Sequence, residues 1–517
     1  MEHTLQIRYT SDIHGYFYPT RYAERAEDST GLMCLMSEFP RDGNTLILDG
    51  GDILQGSPLT NFYERLSSGE RARCLSDGSA LHPVATLMNL AGYHYITLGN
   101  HDFNYGLEEL KAYLSDLNAI CLCANIRDQE HRLPIVSSAI HRLQNGLTVA
   151  ITRVCTDFVR RWENPGTVAR LVIEDAFTAA ARIREELRGK CDISVLLYHG
   201  GYECDLETGK CLSYTSENQA CRICRELDYD LVLTGHQHTS TPGRILGNSY
   251  TTQPSYRAQN ACAITVTLTD HGEKRFNSRF IVPGSPCRRA MTLLSPLEES
   301  VQRWLDTPAG FLSRPLNAQD HLTAARFGSP LANFVNTVQR WMSGAAVSSC
   351  ALPNEYKGLP REVTIRDVVS TYIYSNTLVV LRMTRPELRR YIERSACYFA
   401  LNANGEVILG NTFMRPKVQH YNYDFFSGID YVIDVRRPEG DRVTSIRLNG
   451  REMEENESVE VCVNSYRKGG TSGYDAVSAA PVVREILTDV ADAIIEYITR
   501  NPNIVVDEHR WGVVLPE

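Results

Sequence analysis

Tyr95-Ile96-Thr97-Leu98-Gly99-Asn100-His101-Asp102 runs from a short apolar, β-branched segment through a glycine into three side chains that bind cations or move protons. A run of this kind closed by glycine reads as a buried strand. Four other stretches repeat the design. Leu5 to Thr10 precedes Asp12-Ile13-His14, and Thr45 to Leu48 precedes Asp49-Gly50-Gly51-Asp52. Ile193 to Tyr198 precedes His199-Gly200-Gly201, and Leu231 to Thr234 precedes Gly235-His236-Gln237-His238. In open α/β sheets, ligands gather beyond the carboxyl ends of strands. The spacing therefore predicts five strand ends delivering their side chains to one rim. A single histidine is more often packed or solvated than bound to metal. Together, the five segments supply about seven oxygen and nitrogen donors, which suits two adjacent divalent ions with positions left for water and substrate. Asp52 is the best shared ligand, because a carboxylate can give one oxygen to each ion. Asp49 reads as a turn residue, and Asp102 as support for a neighbouring histidine from behind.

Composition sets the frame. At 517 residues the chain exceeds one ordinary core, so two domains are expected. Hydrophobic content of 43% and charged content of 22% are those of a globular protein. A net charge of −9 leaves no basic surface, which argues against nucleic-acid polymers as partners. No apolar stretch reaches the ~20 residues of a membrane span. The chain enters a strand within four residues of Met1, leaving no room for a signal peptide, and fifteen cysteines fit a reducing cytoplasm. A cytoplasmic location is expected, or export if a leader has been trimmed away.

Residues 1 to about 285 alternate strand-like and helix-like segments, including a helix over Ala176–Leu187 and a late antiparallel pair, Ala261–Leu268 with Arg275–Val282. Pro283-Gly284-Ser285-Pro286 ends that domain. Leu297, Val301, Trp304 and Leu305 share one stripe of a connecting helix over Pro296–Thr307. Leu331–Met342 and Pro386–Cys397 read as helices, Thr377–Met383 as a buried strand, and Val482–Thr499 as a closing helix.

The set Asp-x-His, Gly-Asp, Gly-Asn-His-Asp, His and Gly-His-x-His resembles the calcineurin-like metallophosphoesterases. Ser329-Pro330-Leu331-Ala332-Asn333, Tyr374-Ser375-Asn376-Thr377-Leu378, Tyr421-Asn422-Tyr423 with Ser427-Gly428, and Asn464-Ser465-Tyr466-Arg467-Lys468-Gly469-Gly470 narrow the likeness. They point to the superfamily of 5′-nucleotidases and 2′,3′-cyclic-nucleotide 2′-phosphodiesterase/3′-nucleotidases. The resemblance covers nearly the whole chain. It implies an α/β fold: a four-layer α/β-β/α sandwich over 1–285, a linker helix over 286–310, and a smaller α+β substrate-binding domain over 311–517. It implies two divalent ions, manganese, zinc, cobalt or iron-type, one held by Asp12, His14, Asp52 and His238, the other by Asp52, Asn100, His199 and His236. Such ions lower the pKa of a bridging water and clamp a phosphoryl group for in-line attack by hydroxide.

His101 falls where the family faces the leaving group. Asn104 replaces the carboxylate that orients this histidine in many 5′-nucleotidases, and an amide cannot stabilise an imidazolium by charge. That departure resembles the cyclic-phosphodiesterase/3′-nucleotidase branch. The expected activity is phosphate release from 2′,3′-cyclic and 3′-nucleotides. The alternatives are a 5′-nucleotidase or sugar-nucleotide hydrolase, a non-catalytic nucleotide sensor, and a hydrolase of non-nucleotides such as a sulfur-oxidising relative. Tyr423 and Tyr466 match the positions that sandwich a nucleobase, with Tyr421 as a substitute for Tyr423 if both lie on one strand face. Asn376, Gly469 and Gly470 complete the candidate substrate site. Arg382, Arg415 and Arg467 are looser candidates, better read as solvated. Cys221-x-x-Cys224, with Cys204 and Cys211, has zinc-ligand spacing, but a helix over Glu217–Leu227 places the pair on a buried face, which is the preferred reading.

Overall fold

The computed structural model describes residues 2–211, 216–374, 376–415, 417–486 and 488–516. It divides into two compact units, Met1–Gln302 and Arg303–Glu517.

In the first unit, the strand His3–Thr10 pairs in parallel with Thr45–Asp49 and antiparallel with Ala261–Leu268. The sheet it centres runs Lys274–Ile281, Ala261–Leu268, His3–Thr10, Thr45–Asp49, Tyr95–Ile96, Ile120–Leu122, Ile135–Val136. Helices Pro83–Ala91 and Gly106–Ser115 make the crossovers between its parallel strands. A second sheet runs Thr241–Leu246, Ser249–Gln253, Leu231–Thr234, Ile193–His199, Thr148–Cys155, Ser138–Arg142. Alternate residues of the two sheets meet in one core: Leu5, Ile7, Leu46 and Ile264 from the first, Val149, Val195, Leu197 and Leu233 from the second. The second sheet turns Val154, Leu196 and Val232 outward onto Ala176, Ala179 and Ala180 of helix Ala176–Leu187, whose end residues match those expected. Fully buried Arg153 reaches across to the first sheet and donates to the carbonyls of Asp49 and Tyr95.

The connecting helix spans Arg288–Leu305, eight residues earlier than its expected start. Pro296, expected as its first residue, lies inside the helix. The buried stripe of Ala290, Leu294, Leu297, Val301 and Leu305 outweighs the lost hydrogen bond. The division between the two units falls within this helix.

The second unit has a five-stranded sheet, Phe425–Ser427, Val347–Cys350, Ser458–Asn464, Leu378–Thr384, Val482–Ile486, and a four-stranded one built on Asp430–Asp434. Helices Pro330–Ser343 and Arg385–Ala396 enter through proline in the first turn, the second behind a Thr384/Glu387 capping box. The single closing helix expected over Val482–Thr499 is instead a strand, Val482–Ile486, and a helix, Val490–Arg500. The β-branched run Val482-Val483 pairs as an edge strand on Leu378–Thr384 before the helix begins after Asp489. Leu487 in that stretch, and Ser375 of the Tyr374–Leu378 motif, lie outside the described residues. Among the described residues no helix is long and apolar enough to cross a membrane.

Candidate dimetal site

Asp12 and Asp52 follow the ends of His3–Thr10 and Thr45–Asp49, and Asn100 lies just beyond Tyr95–Ile96, all in the first sheet. His199 ends its strand and His236 lies just past Leu231–Thr234, both in the second. The rim is thus shared between the two sheets' carboxyl ends. The Asp12 and Asp52 loops bond to each other: Asp12 N–H donates to Gly51 O at 2.9 Å and His14 N–H to Asp52 O at 2.8 Å. Gly99 makes room for this, since a Cβ there would stand 2.1 Å from Asp52 Oδ1. Asp12, His14, Asp52, His236 and His238 all have φ between +52° and +71°. Left-handed backbone is uncommon for such residues and clusters at functional sites.

Donor atoms of Asp12, His14, Asp52 and His238 lie within 4.8 Å of one another, and so do those of Asp52, His199 and His236. His14 Nδ1 bonds the Gln55 carbonyl at 2.8 Å and His199 Nδ1 the Gly50 carbonyl at 2.7 Å, which turns both Nε2 atoms inward. His199 Nε2 comes 3.1 Å from Asp52 Oδ2, and His14 Nε2 lies 3.0 Å from His238 Nε2. Asp52 Oδ2, His199 Nε2 and Asn100 Oδ1 are buried without a well-aligned hydrogen bond. The lone pairs of Asp52 and His199, brought that close, need a cation between them, and the donor set suits a first-row divalent ion. The electrostatics agree. Burial alone would raise the Asp52 carboxyl, but His199, His101 and His14 hold it well below the usual range. Burial brings His14 down to about 3, the neutral form a ligand needs. Against its own burial, His199 is lifted to about 10 by Asp52, so a proton occupies that gap unless a metal ion takes its place.

Asp49 and Asp102 are not turned toward this cluster. Asp49 accepts from Thr10 Oγ1 and Gly51 N–H. Asp102 does not support a histidine as expected: its oxygens accept from the backbone N–H of Asp52, Ile53, Leu54 and Gly99, fixing the loop that carries Asp52.

Beside the cluster, the His101 ring lies 5.3 Å from that of His14, and its Nδ1 bonds Asn104 Oδ1 at 2.8 Å. The Asn104 amide donates onward to Glu163 Oε2 at 2.9 Å. A carboxylate therefore does stand behind His101, one amide further away. Burial raises the Glu163 carboxyl, opposed by the Asn164 N–H, the Asn104 amide and His101. Glu163 is 59 residues from Asn104, and no motif spacing points to it. Nor does any motif point to Glu217, whose Oε1 lies 3.2 Å from His236 Nε2, or to two stacked rings, Trp162 on His236 and Tyr256 on His238.

The second unit brings together only part of the expected substrate set. Tyr423 is 3% exposed, its ring packed among Tyr398, Phe399 and Phe425 and its hydroxyl on Ala325 O. It belongs to the core. The expectation assumed a strand; His420–Asn422 is instead a 3₁₀ turn, which separates Tyr421 from Tyr423. Tyr421 and Tyr466 are half-buried, with ring centroids 6.5 Å apart, and Tyr374 joins Tyr421 at 6.4 Å. Arg467, read as solvated, is buried: it pairs with Asp424 at 2.6 Å and lies over Tyr474. Asn376 bonds Tyr372 Oη at 3.5 Å, and its carbonyl receives Val490 N–H. Gly469 caps the turn Ser465–Lys468, and Gly470, at φ +75°, leaves its Cβ position 2.7 Å from Ser478 Cβ. Gly470 serves the loop's geometry.

Residues 5–240 match the calcineurin-like phosphoesterase family model, and residues 309–479 match the 5′-nucleotidase C-terminal domain. A 2′,3′-cyclic-nucleotide 2′-phosphodiesterase/3′-nucleotidase of Salmonella typhimurium is 24% identical over 90% of this chain and 81% of its own. The trifunctional nucleotide phosphoesterase YfkN of Bacillus subtilis is 21% identical over 98% of this chain, which spans only 39% of that longer protein. A Staphylococcus aureus crystal structure, described as a candidate 5′-nucleotidase in complex with α-ketoglutarate, superposes with a TM-score of 0.89 at 29% identity, covering 99% of this chain and all of that one.

Proposed function

Because the chain belongs to the calcineurin-like phosphoesterases that carry a 5′-nucleotidase C-terminal domain, and is a metal-dependent phosphoester hydrolase, we propose that it releases phosphate from small nucleotides. Asp12, His14, Asp52 and His238 would hold one divalent ion, and Asp52, Asn100, His199 and His236 a second. The observation that carries this reading is the convergence of donor atoms on Asp52, with buried lone pairs left unsatisfied. Bound there, the ions supply an activated water and charge for the transferring phosphoryl group.

The chain's own residues do the rest. The Asn104 carbonyl accepts the His101 Nδ1–H, which leaves Nε2 of the imidazolium to give its proton to the departing ester oxygen. Glu163 orients the Asn104 amide and so the imidazole. Tyr421 and Tyr466 would stack the base, worth ~1–3 kcal/mol per contact.

The preferred substrates would be 2′,3′-cyclic and 3′-nucleotides. Asn104 and the Salmonella relative support that choice, since strain in the cyclic ester lessens the demand on His101 as an acid. One observation favours a 5′-nucleotidase instead: the Glu163 carboxylate lends His101 part of the support that Asn104 alone would not. A phosphate-release panel over 2′,3′-cyclic AMP, 3′-AMP and AMP with manganese separates them. The proposal expects kcat/KM to fall in that order. AMP outrunning both would promote the 5′-nucleotidase.

A further inference from the structure

Between two ligands of the dimetal site, His199 and His236, the chain makes an excursion whose sulfur atoms the mechanism does not use. Cys204 and Cys211 face each other across an antiparallel bridge. Asp205 N–H donates to Lys210 O at 2.8 Å, which makes Cys204 and Cys211 the closely spaced, non-hydrogen-bonded pair of that ladder. Residues so opposed have Cβ atoms about 4.5–5.5 Å apart, within reach of a common ion. Helix Ala220–Glu226 then brings Cys221 to the same place. Donor atoms of Glu203, Cys204 and Cys221 lie within 4.8 Å of one another, and Cys211 packs against the hydrophobic cluster to which Cys204 and Cys221 belong. The thiolates of a tetrahedral zinc site, at about 2.3 Å from the metal, stand about 3.8 Å apart, so a small contraction suffices. Arg225 Nη1 lies 3.9 Å from Cys204 Sγ, a cation placed to balance thiolate charge.

We propose that Cys204, Cys211 and Cys221, with the Glu203 carboxylate as fourth ligand, hold a structural zinc ion separate from the dimetal site. Cys224, one turn on from Cys221 and fully buried, packs behind it. Binding releases the thiol protons to solvent and changes no oxidation state. The ion would tie the 204–211 hairpin to the helix. Just before that helix, Glu217 Oε1 lies 3.2 Å from His236 Nε2, and Asn218 Oδ1 accepts the Gly201 N–H at 2.7 Å. The site would thus stiffen the helix start that presents Glu217 to His236, without touching substrate.

Reconstitution with Co²⁺ in place of Zn²⁺ tests this, because thiolate ligands give cobalt a near-ultraviolet charge-transfer band that His and Asp ligands do not. Holoenzyme should show that band and bind one ion more than Cys204→Ser/Cys221→Ser, which should lack the band, keep its other ions and melt at lower temperature. Should that variant fail to fold, the intact holoenzyme decides: Cys204 and Cys211 must resist iodoacetamide until a chelator is added. Equal metal content in both proteins with no charge-transfer band would overturn the proposal. So would a native mass two hydrogen atoms light with Cys204 and Cys211 joined, since the pair would then be an oxidised disulfide.

Discussion

The rim of the first unit is written in the spacing of strand ends, whereas the aromatic cluster of the second was expected only from a family resemblance, and only the rim's geometry was legible in detail. A side chain at a strand end has its position set by the strand: Asp12, Asp52, Asn100, His199 and His236 fall where a sheet must deliver them, and hydrogen bonds between neighbouring loops do the rest. Tyr421 and Tyr423 lie in a connection whose conformation no periodicity determines. One 3₁₀ turn exchanged their environments.

The largest expected effect breaks the rim itself. Asp52→Asn weakens both donor sets, so phosphate release should drop by more than ~10²-fold, beyond what loss of a supporting residue causes. Elemental analysis should show depleted metal. Retained activity with full metal content would remove Asp52 from the shared position.

Next comes the proton path. His101→Asn should lower kcat by ~10²–10⁴-fold with metal content unchanged. A lost ion would make His101 a ligand instead. Glu163→Gln keeps the bond to Asn104 while deleting the charge, and should cost about tenfold in kcat, against little change in KM. If it leaves kcat untouched, the amide alone suffices and the departure at Asn104 recovers its full meaning.

The smallest effects sharpen the contrast between the tyrosines. Tyr421→Ala should raise KM for nucleotides by about 1–2 kcal/mol of lost stacking and leave turnover of bis(p-nitrophenyl) phosphate alone, since that substrate has no base. Tyr423→Ala should behave as a core truncation, lowering the melting temperature at a cost of ~3–5 kcal/mol with little selective change in KM. The reverse pattern would return Tyr423 to the binding site.

What could be read in advance follows from how local each determinant is. Ala176–Leu187 and the Ala261–Leu268 hairpin have apolar periods and turns written within their own residues. The connecting helix begins upstream of Pro296, its expected first residue, because the buried stripe continues on both sides of the proline. Val482–Ile486 takes its strand form from pairing with Leu378–Thr384, a partner about a hundred residues away. Glu163 reaches His101 only through the fold, and Arg467 is buried only because Asp424 comes to meet it.

The most direct test of the dimetal account is phosphate release from 2′,3′-cyclic AMP before chelation, after exhaustive chelation, and after manganese is restored. The account predicts activity, then none, then recovery. Full activity in excess chelator, after time for the ions to leave, would contradict it.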